Sequence, residues 1–258
     1  MYSSKVILVT GSNTGIGYDL VHLLAARGHT VYLSSRNEAA GLEAVAKIKK
    51  EKGVDVKFVQ LDVTDAASVT AAAAKIKHDE GRLNILVNNA GTILCVLQTF
   101  SAIAELHTMK TVTEVDLTSL RATFETNLLG LVQTTTTFLP LLRATNSPEV
   151  PSVVLNITTG MASNTLMSTP TGILHAAVPY NTSKAAVNSY TIALAHELKE
   201  EGIKVNCVTP GMVTTKLNNF VSGGKTPEEG AAILVEWALL DGEGRTGKFW
   251  SDRGELPW

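Results

Sequence analysis

Tyr180 and Lys184, four positions apart, form a pair that can do acid–base chemistry. On a helix the two side chains share a face, with Cβ atoms about 6 Å apart. At ~6 Å and an effective dielectric of ~20, an ammonium favours a phenolate by about 3 kcal/mol, which brings a phenol that starts near 10 down to about 8. Such a group donates or accepts protons around neutrality. The pattern alone carries little weight, because a chain with five Tyr produces it by chance in about one sequence of this kind in three. A Tyr merely packed on its helix is the alternative.

A second constellation lies near the start of the chain. The apolar run Val6-Ile7-Leu8-Val9 leads into Thr10-Gly11-Ser12-Asn13-Thr14-Gly15-Ile16-Gly17, and an amphipathic stretch follows at once. Where glycines remove Cβ atoms between a strand and a helix, backbone N–H groups and the helix N-terminus can approach a pyrophosphate closely. An ordinary tight turn is the plainer alternative. The spacing is G-x-x-x-G-x-G rather than G-x-G-x-x-G.

That turn, followed in order by Asn88-Asn89-Ala90-Gly91 and by Tyr180-x-x-x-Lys184, resembles the short-chain dehydrogenase/reductase family over nearly the whole chain. The ordered set is specific where each member is not. Within the family, Pro227-Glu228-Glu229-Gly230-Ala231, Trp237-Ala238-Leu239-Leu240 and Gly247-Lys248-Phe249 look like the NADPH-dependent carbonyl reductases.

The resemblance implies a nicotinamide cofactor bound by Gly11, Asn13, Thr14, Gly15, Ile16 and Gly17, by Asp62 and Val63 near the adenine, and by Asn89, Ala90 and Gly91. An Asp at position 62 could equally cap the following turn. Pro210-Gly211-Met212-Val213-Thr214-Thr215 matches the family's P-G-x-V-x-T segment, which implies a backbone contact from Val213 to the carboxamide and a hydroxyl from Thr215. Ser35 stands where the family's NAD enzymes carry Asp, and Arg36 follows it. With no carboxylate to repel a 2'-phosphate and a guanidinium to pair with it, NADP(H) is favoured. Arg36 as a solvated loop cation is the alternative. A second basic residue common in NADP-dependent relatives is missing, since Thr14 stands there.

For catalysis the resemblance implies that Tyr180 protonates the carbonyl oxygen, that Lys184 lowers its pKa and holds the ribose, and that Asn127 disturbs its helix and binds a relay water. Asn has poor propensity for a helix interior. The family's Ser-Ser at the end of strand five is here Thr158-Thr159. Register assigns the carbonyl-orienting hydroxyl to Thr159, and alternation turns Thr158 to the other face. The extra methyl narrows the pocket while the hydrogen bond survives.

The elements that must position these groups read as repeated βαβ units. Strands are expected near 5–10, 30–34, 55–61, 83–88, 152–158, 203–208 and 246–250, and helices near 15–27, 38–51, 66–80, 116–143, 179–200 and 227–240. Nearly all the strands are continuously apolar, as burial on both faces requires. Asp65 is a candidate N-cap, and Gly28, Gly53, Gly81 and Gly202 are candidate C-terminal caps. The expectation is a single α/β domain over residues 1–258, a Rossmann-type doubly wound parallel sheet of about seven strands with helices on both faces. No linker or repeat divides it.

Composition closes off other classes. The 258 residues are 45% hydrophobic and 18% charged, with 22 basic against 24 acidic side chains. This balance disfavours disorder and a nucleic-acid-binding polycation. The first apolar run is too short for a membrane span or a signal core. Two cysteines, Cys95 and Cys207, suit a reducing, cytoplasmic compartment better than a disulfide framework. His196-Glu197 lacks the second His of a zinc-protease helix, and no metal site is expected. The sequons at Asn156 and Asn181 fall beside the proposed active site and are taken as accidental.

Segments 92–112, 160–179 and 216–226 should build the pocket, with Ile93, Leu94, Phe100, Met161, Leu166, Met167, Ile173, Leu174, Leu217 and Phe220. The stretch between Thr159 and Tyr180 is longer than the family norm. Few cations face that region, so a neutral, apolar ketone, aldehyde or quinone is the expected substrate class. An alcohol or steroid dehydrogenase working oxidatively, and a catalytically silent NADP(H)-binding regulator, are the rivals. Whether the chain is a monomer or a homo-oligomer stays open.

Overall fold

A computed structural model describes residues 4–93 and 111–258. Leu94, Cys95 and Phe100, and with them most of the 92–112 pocket segment, lie outside the described residues. The element order is β1 (Val6–Val9), α1 (Gly15–Ala25), β2 (Thr30–Ser35), α2 (Glu38–Lys52), β3 (Lys57–Gln60), α3 (Ala66–Glu80) and β4 (Ile85–Asn88). After the gap come α4 (Leu117–Phe124), α5 (Gly130–Arg143), β5 (Val153–Ile157), α6 (Asn164–Met167), α7 (Val178–Glu197), β6 (Lys204–Val208), α8 (Pro227–Ala238), β7 (Phe249–Ser251) and β8 (Gly254–Glu255).

Alternation along β1 explains the layering. Val6 and Leu8 pack with Val69, Ile76, Phe138, Leu142 and Leu194 of α3, α5 and α7. Ile7 and Val9 pack with Leu20, Leu24, Ile48, Leu234 and Trp237 of α1, α2 and α8. A strand with both faces covered must be apolar throughout, and each fully buried aliphatic contributes about 1.5–3 kcal/mol. The strand order is β3-β2-β1-β4-β5-β6-β7-β8, parallel up to β7. Sequential order reverses between β1 and β4, which opens a crevice at their C-terminal ends where doubly wound sheets bind ligands.

The details refine the expectations. Among the described residues the sheet has eight strands, consistent with about seven, the addition being β8, which follows a turn at Arg253-Gly254, with Gly254 at φ +113°, and pairs antiparallel with β7. β3 is a four-residue edge strand with Lys57 and Gln60 exposed and Val59 buried, an exception to the continuously apolar runs. The helix expected over 116–143 is interrupted by a π turn, Glu125–Leu129, in which the Gly130 N–H reaches back five residues to the Glu125 carbonyl. α1 ends at Ala25, before Gly28, whereas Gly53 and Gly81 cap α2 and α3 in the left-handed conformation as expected.

Candidate active site

The glycine-rich turn is built from hydrogen bonds that its neighbours supply. Ser12 N–H donates to the Ser34 carbonyl (2.8 Å), Gly11 N–H to Ser34 Oγ (3.2 Å), and Ser12 Oγ to the Val9 carbonyl (2.8 Å). Asn89 Nδ2 donates to the carbonyls of Thr10 (2.9 Å) and Gly11 (3.0 Å), while Thr10 Oγ1 accepts from the N–H groups of Asn89 and Ala90. Asn89, expected beside the cofactor, therefore spends its side chain holding the turn. Gly11 and Gly15 sit at φ +58° and +62°, where a side chain is strained. At Gly17 a Cβ would stand 2.5 Å from Asn89 Nδ2 and 2.9 Å from Ser12 Cα.

Thr14 caps α1 without using its side chain, and the first turn of the helix holds no carboxylate, so the positive dipole end could hold an anion. Across the gap, Thr215 Cγ2 lies 3.6 Å from where a Gly15 Cβ would be, so the 210–215 segment forms the opposite bank. Ile16 and Val213 both close on Gly230 of α8. A cavity of about 540 Å³ opens beside Asn13, Thr14 and Gly15, shared with Tyr18, Asp19 and Lys47.

The remaining cofactor candidates divide. Arg36 is exposed at the end of β2 with no carboxylate partner among the described residues, and Ser35 Oγ accepts from the Asn37 N–H (3.2 Å). Asp62 Oδ1 accepts from the Thr64 N–H (2.9 Å) and Oγ1 (2.7 Å). The Val63 carbonyl accepts from Gln133 Nε2 and abuts Gly130 of α5.

Around Tyr180 four elements converge. Tyr180 is 8% exposed and Lys184 4%, on the buried face of α7 that continues through Val187, Asn188 and Thr191. Lys184 Nζ donates to the Ile157 carbonyl at the end of β5 (2.8 Å). Burial pulls its pKa down to about 8, so the ammonium is mostly retained at neutrality but is easier to lose than a solvated lysine's. Thr158 Oγ1 donates to Asn188 Oδ1 (3.0 Å) and is buried. Thr159 is half-buried, and its oxygen accepts a long contact from the Met161 N–H (3.4 Å) that leaves the hydroxyl proton available. The structure therefore separates the two hydroxyls as strand alternation requires.

Asn127 sits fully buried in the π turn. Its Oδ1 accepts from the Thr92 N–H (2.8 Å), and its Nδ2 donates to the Thr92 carbonyl (3.0 Å) and to Ser183 Oγ (3.0 Å). Gly91 lies between the groups: a Cβ there would be 3.4 Å from Asn127 Oδ1 and 3.5 Å from Lys184 Nζ. The side-chain amide thus clamps the 91–92 backbone to α7, and the irregular hydrogen bonding that a π turn brings belongs to the main chain.

Several positioning residues carry no motif signal. Lys225 Nζ donates to the Pro210 carbonyl (3.0 Å) and pairs with Asp252, while its backbone N–H and carbonyl bond Met212 and Thr214 (2.9 Å each). Together these contacts hold the turn at Gly211, φ +78°. Asn88 Nδ2 bridges Thr135 Oγ1 (2.9 Å) and Asn156 Oδ1 (2.8 Å), and Asn156 Nδ2 in turn donates to Thr191 Oγ1 (2.8 Å). This ladder ties β4 and β5 to α5 and α7, and it places Asn156 wholly inside the protein. Cys207 ends the chain of contacts at Thr191, its thiol pushed up to about 12 by burial.

Of the residues expected to line the pocket, Ile173, Leu174, Leu217 and Phe220 are exposed, and Met161, Leu166 and Met167 are half-buried. No helix among the described residues is long and apolar enough to cross a membrane.

Comparison with known proteins assigns the family. Residues 5–225 match the family model described as short chain dehydrogenase. Short-chain dehydrogenase/reductase 1 of Saponaria officinalis is 33% identical, covering 98% of this chain and 96% of that protein. (+)-Neomenthol dehydrogenase of Arabidopsis thaliana is 34% identical, covering 92% of each. The crystal structure of NADPH-bound carbonyl reductase from chicken fatty liver aligns over 100% of both chains at 25% identity, with a TM-score of 0.81.

Proposed function

The chain belongs to the short-chain dehydrogenase family, and from that premise we propose that it is an NADPH-dependent reductase acting on the carbonyl of a neutral, apolar ketone, aldehyde or quinone. The observation that carries the proposal is the line of contact from the Gly11 turn, which packs on Ala90, through Gly91 to Lys184 Nζ, itself bonded to the Ile157 carbonyl at the strand end that leads into Thr159. The turn at residues 11–17 and the facing 210–215 segment fit a dinucleotide, since the N–H groups of α1 are free to hold its pyrophosphate and two left-handed glycines shape the turn. When bound, the cofactor supplies the hydride. Arg36 would pair with a 2'-phosphate, and the NADPH bound to the chicken carbonyl reductase supports the same preference.

The chain's own residues do the rest. Thr159 donates its uncommitted hydroxyl proton to the carbonyl oxygen and fixes the direction of its lone pairs. Tyr180 gives its phenolic proton to that oxygen as negative charge builds there. Lys184, anchored on the Ile157 carbonyl, stabilises the phenolate that remains. Asn127 holds the 91–92 backbone at a fixed distance from Lys184. The scarcity of cations among the apolar groups at the mouth supports a neutral substrate.

A carbonyl panel tests the proposal. NADPH consumption, followed by absorbance, should appear with at least one neutral ketone, aldehyde or quinone and be absent with carboxylated analogues. NADPH binding without turnover on any carbonyl would favour the silent regulator instead.

A further inference from the structure

The 160–167 segment follows directly after Thr159 and, among the described residues, is tied to α7 by the bond from Asn188 Nδ2 to the Ala162 carbonyl (3.3 Å). Its other side is held by residues 256–258. Ser163 Oγ donates to the Pro257 carbonyl (2.6 Å), and the Thr165 N–H and Oγ1 both donate to the Trp258 main-chain oxygen (3.1 and 2.7 Å). The same Ser163 Oγ accepts from the Leu166 N–H (3.1 Å), so one hydroxyl links the incoming segment to α6.

Residues 256–258 are themselves anchored in the core. Leu256 N–H donates to the Phe249 carbonyl (2.8 Å), and the Trp258 ring stacks on the fully buried Phe249 ring with centroids 5.5 Å apart and planes 27° apart. Phe249 packs with Leu131, Val187 and Cys207 beneath α7. A continuous line of contact therefore runs from Val187 and Cys207, through Phe249 and Trp258, to the backbone that carries Leu166 and Met167.

We propose that residues 256–258 form a strap that sets the position of the 160–167 wall, which makes Trp258 a positioning residue that determines how bulky a carbonyl compound the site accepts. The proposal rests on the reductase reading for its substrate and goes beyond it in naming what fixes the wall. The strap acts on substrate fit and not on the proton donor, because its bonds go to Ser163 and Thr165, whereas Lys184 is held by the Ile157 carbonyl. The wall is held by backbone carbonyls of the strap, so its placement depends on where the Trp258 stack seats them.

The test compares wild type with Trp258→Ala, Trp258→Phe and Ser163→Ala in the full chain, using cyclohexanone as a compact ketone and trans-decalone as a bulky one. In Trp258→Ala the kcat/KM ratio of decalone to cyclohexanone should rise about tenfold through KM, the scale on which apolar pockets discriminate by size. Its kcat and NADPH affinity should stay at wild-type values. Ser163→Ala should move the ratio the same way, and Trp258→Phe, which keeps a stacking ring, should restore it. Amide hydrogen exchange in the ligand-free protein should quicken at residues 163–168 of Trp258→Ala and stay slow in the 11–17 turn. An unchanged ratio with unchanged exchange overturns the strap, and so does an equal loss of kcat on both ketones. If the wild type reduces no carbonyl of the panel, the reductase reading fails, and the exchange rates alone decide whether the strap holds the wall.

Discussion

The two ends of the cleft are built in opposite ways. At the nucleotide end the turn after β1 is tied by Ser12, Ser34, Asn89 and Thr10, and at Gly11 and Gly17 even a methyl group has no space. At the mouth, Phe220 is 64% exposed and Ile173 62%, and Leu174, Asn219 and Phe220 all adopt positive φ, between 52° and 58°. For residues other than glycine, that conformation costs about 1–2 kcal/mol each. The first end is over-determined by backbone hydrogen bonds, whereas the second offers apolar side chains on strained turns. A fold organised this way keeps one cofactor geometry while its substrate range is set by a few side chains and by whatever positions them.

Substitutions at the two ends should therefore fail in different ways. The largest loss belongs to the chemistry where the ends meet. Tyr180→Phe should retain NADPH binding, measured by fluorescence, while kcat falls about 10²-fold or more, the usual worth of a general acid. Thr159→Ala should cost about 2–4 kcal/mol in kcat/KM with cofactor affinity little changed, as for loss of an oxyanion donor. Thr158→Ala separates the two hydroxyls, because its partner is Asn188 and its effect should appear in the thermal midpoint rather than in the rate. An inactive Thr158→Ala beside a normal Thr159→Ala would exchange their assignments.

At the nucleotide end the signature changes. Gly17→Ala forces a Cβ against Asn89 and Ser12 and should cost about 1–3 kcal/mol of stability, with weakened NADPH binding. Arg36→Ala should leave stability alone and lower the preference for NADPH over NADH about tenfold, one charge-assisted hydrogen bond's worth. A wild type that prefers NADH removes Arg36 from the account. The smallest effect is the pH response. Lys184 is charged below about 8 and neutral above it, so reductive kcat/KM should fall as pH rises through that value. A profile flat to pH 10 would show that the Lys184 charge is not needed.

How much of this was legible in residue order follows from where each feature gets its energy. The turn at 10–17, the buried strands and the Tyr180/Lys184 pair depend on glycine placement, two-sided burial and helical spacing, all of which are local. At 125–129 the resemblance implies only that Asn127 disturbs its helix, and that its amide meets Thr92, 35 positions away, is visible only in the fold. Asn89 was expected at the cofactor because its motif is known by position, and only the fold reveals that its amide holds the Thr10 and Gly11 carbonyls. Lys225 has no motif, and its grip on Pro210 appears only when the chain returns to bridge Val213. β8 and the strap at Trp258 are short, and their contacts with β7 and 163–165 give no periodic signal.

Isotope transfer tests the reductase account most directly. Wild-type protein is incubated with NADPH carrying deuterium on the transferring face of C4, together with a neutral ketone that the panel shows to be consumed, and the product is read by mass spectrometry. The account requires an alcohol with one deuterium on the former carbonyl carbon, formed at least about 10²-fold more slowly by Tyr180→Phe. An unlabelled alcohol, or a labelled one made equally fast without the Tyr180 hydroxyl, would contradict it.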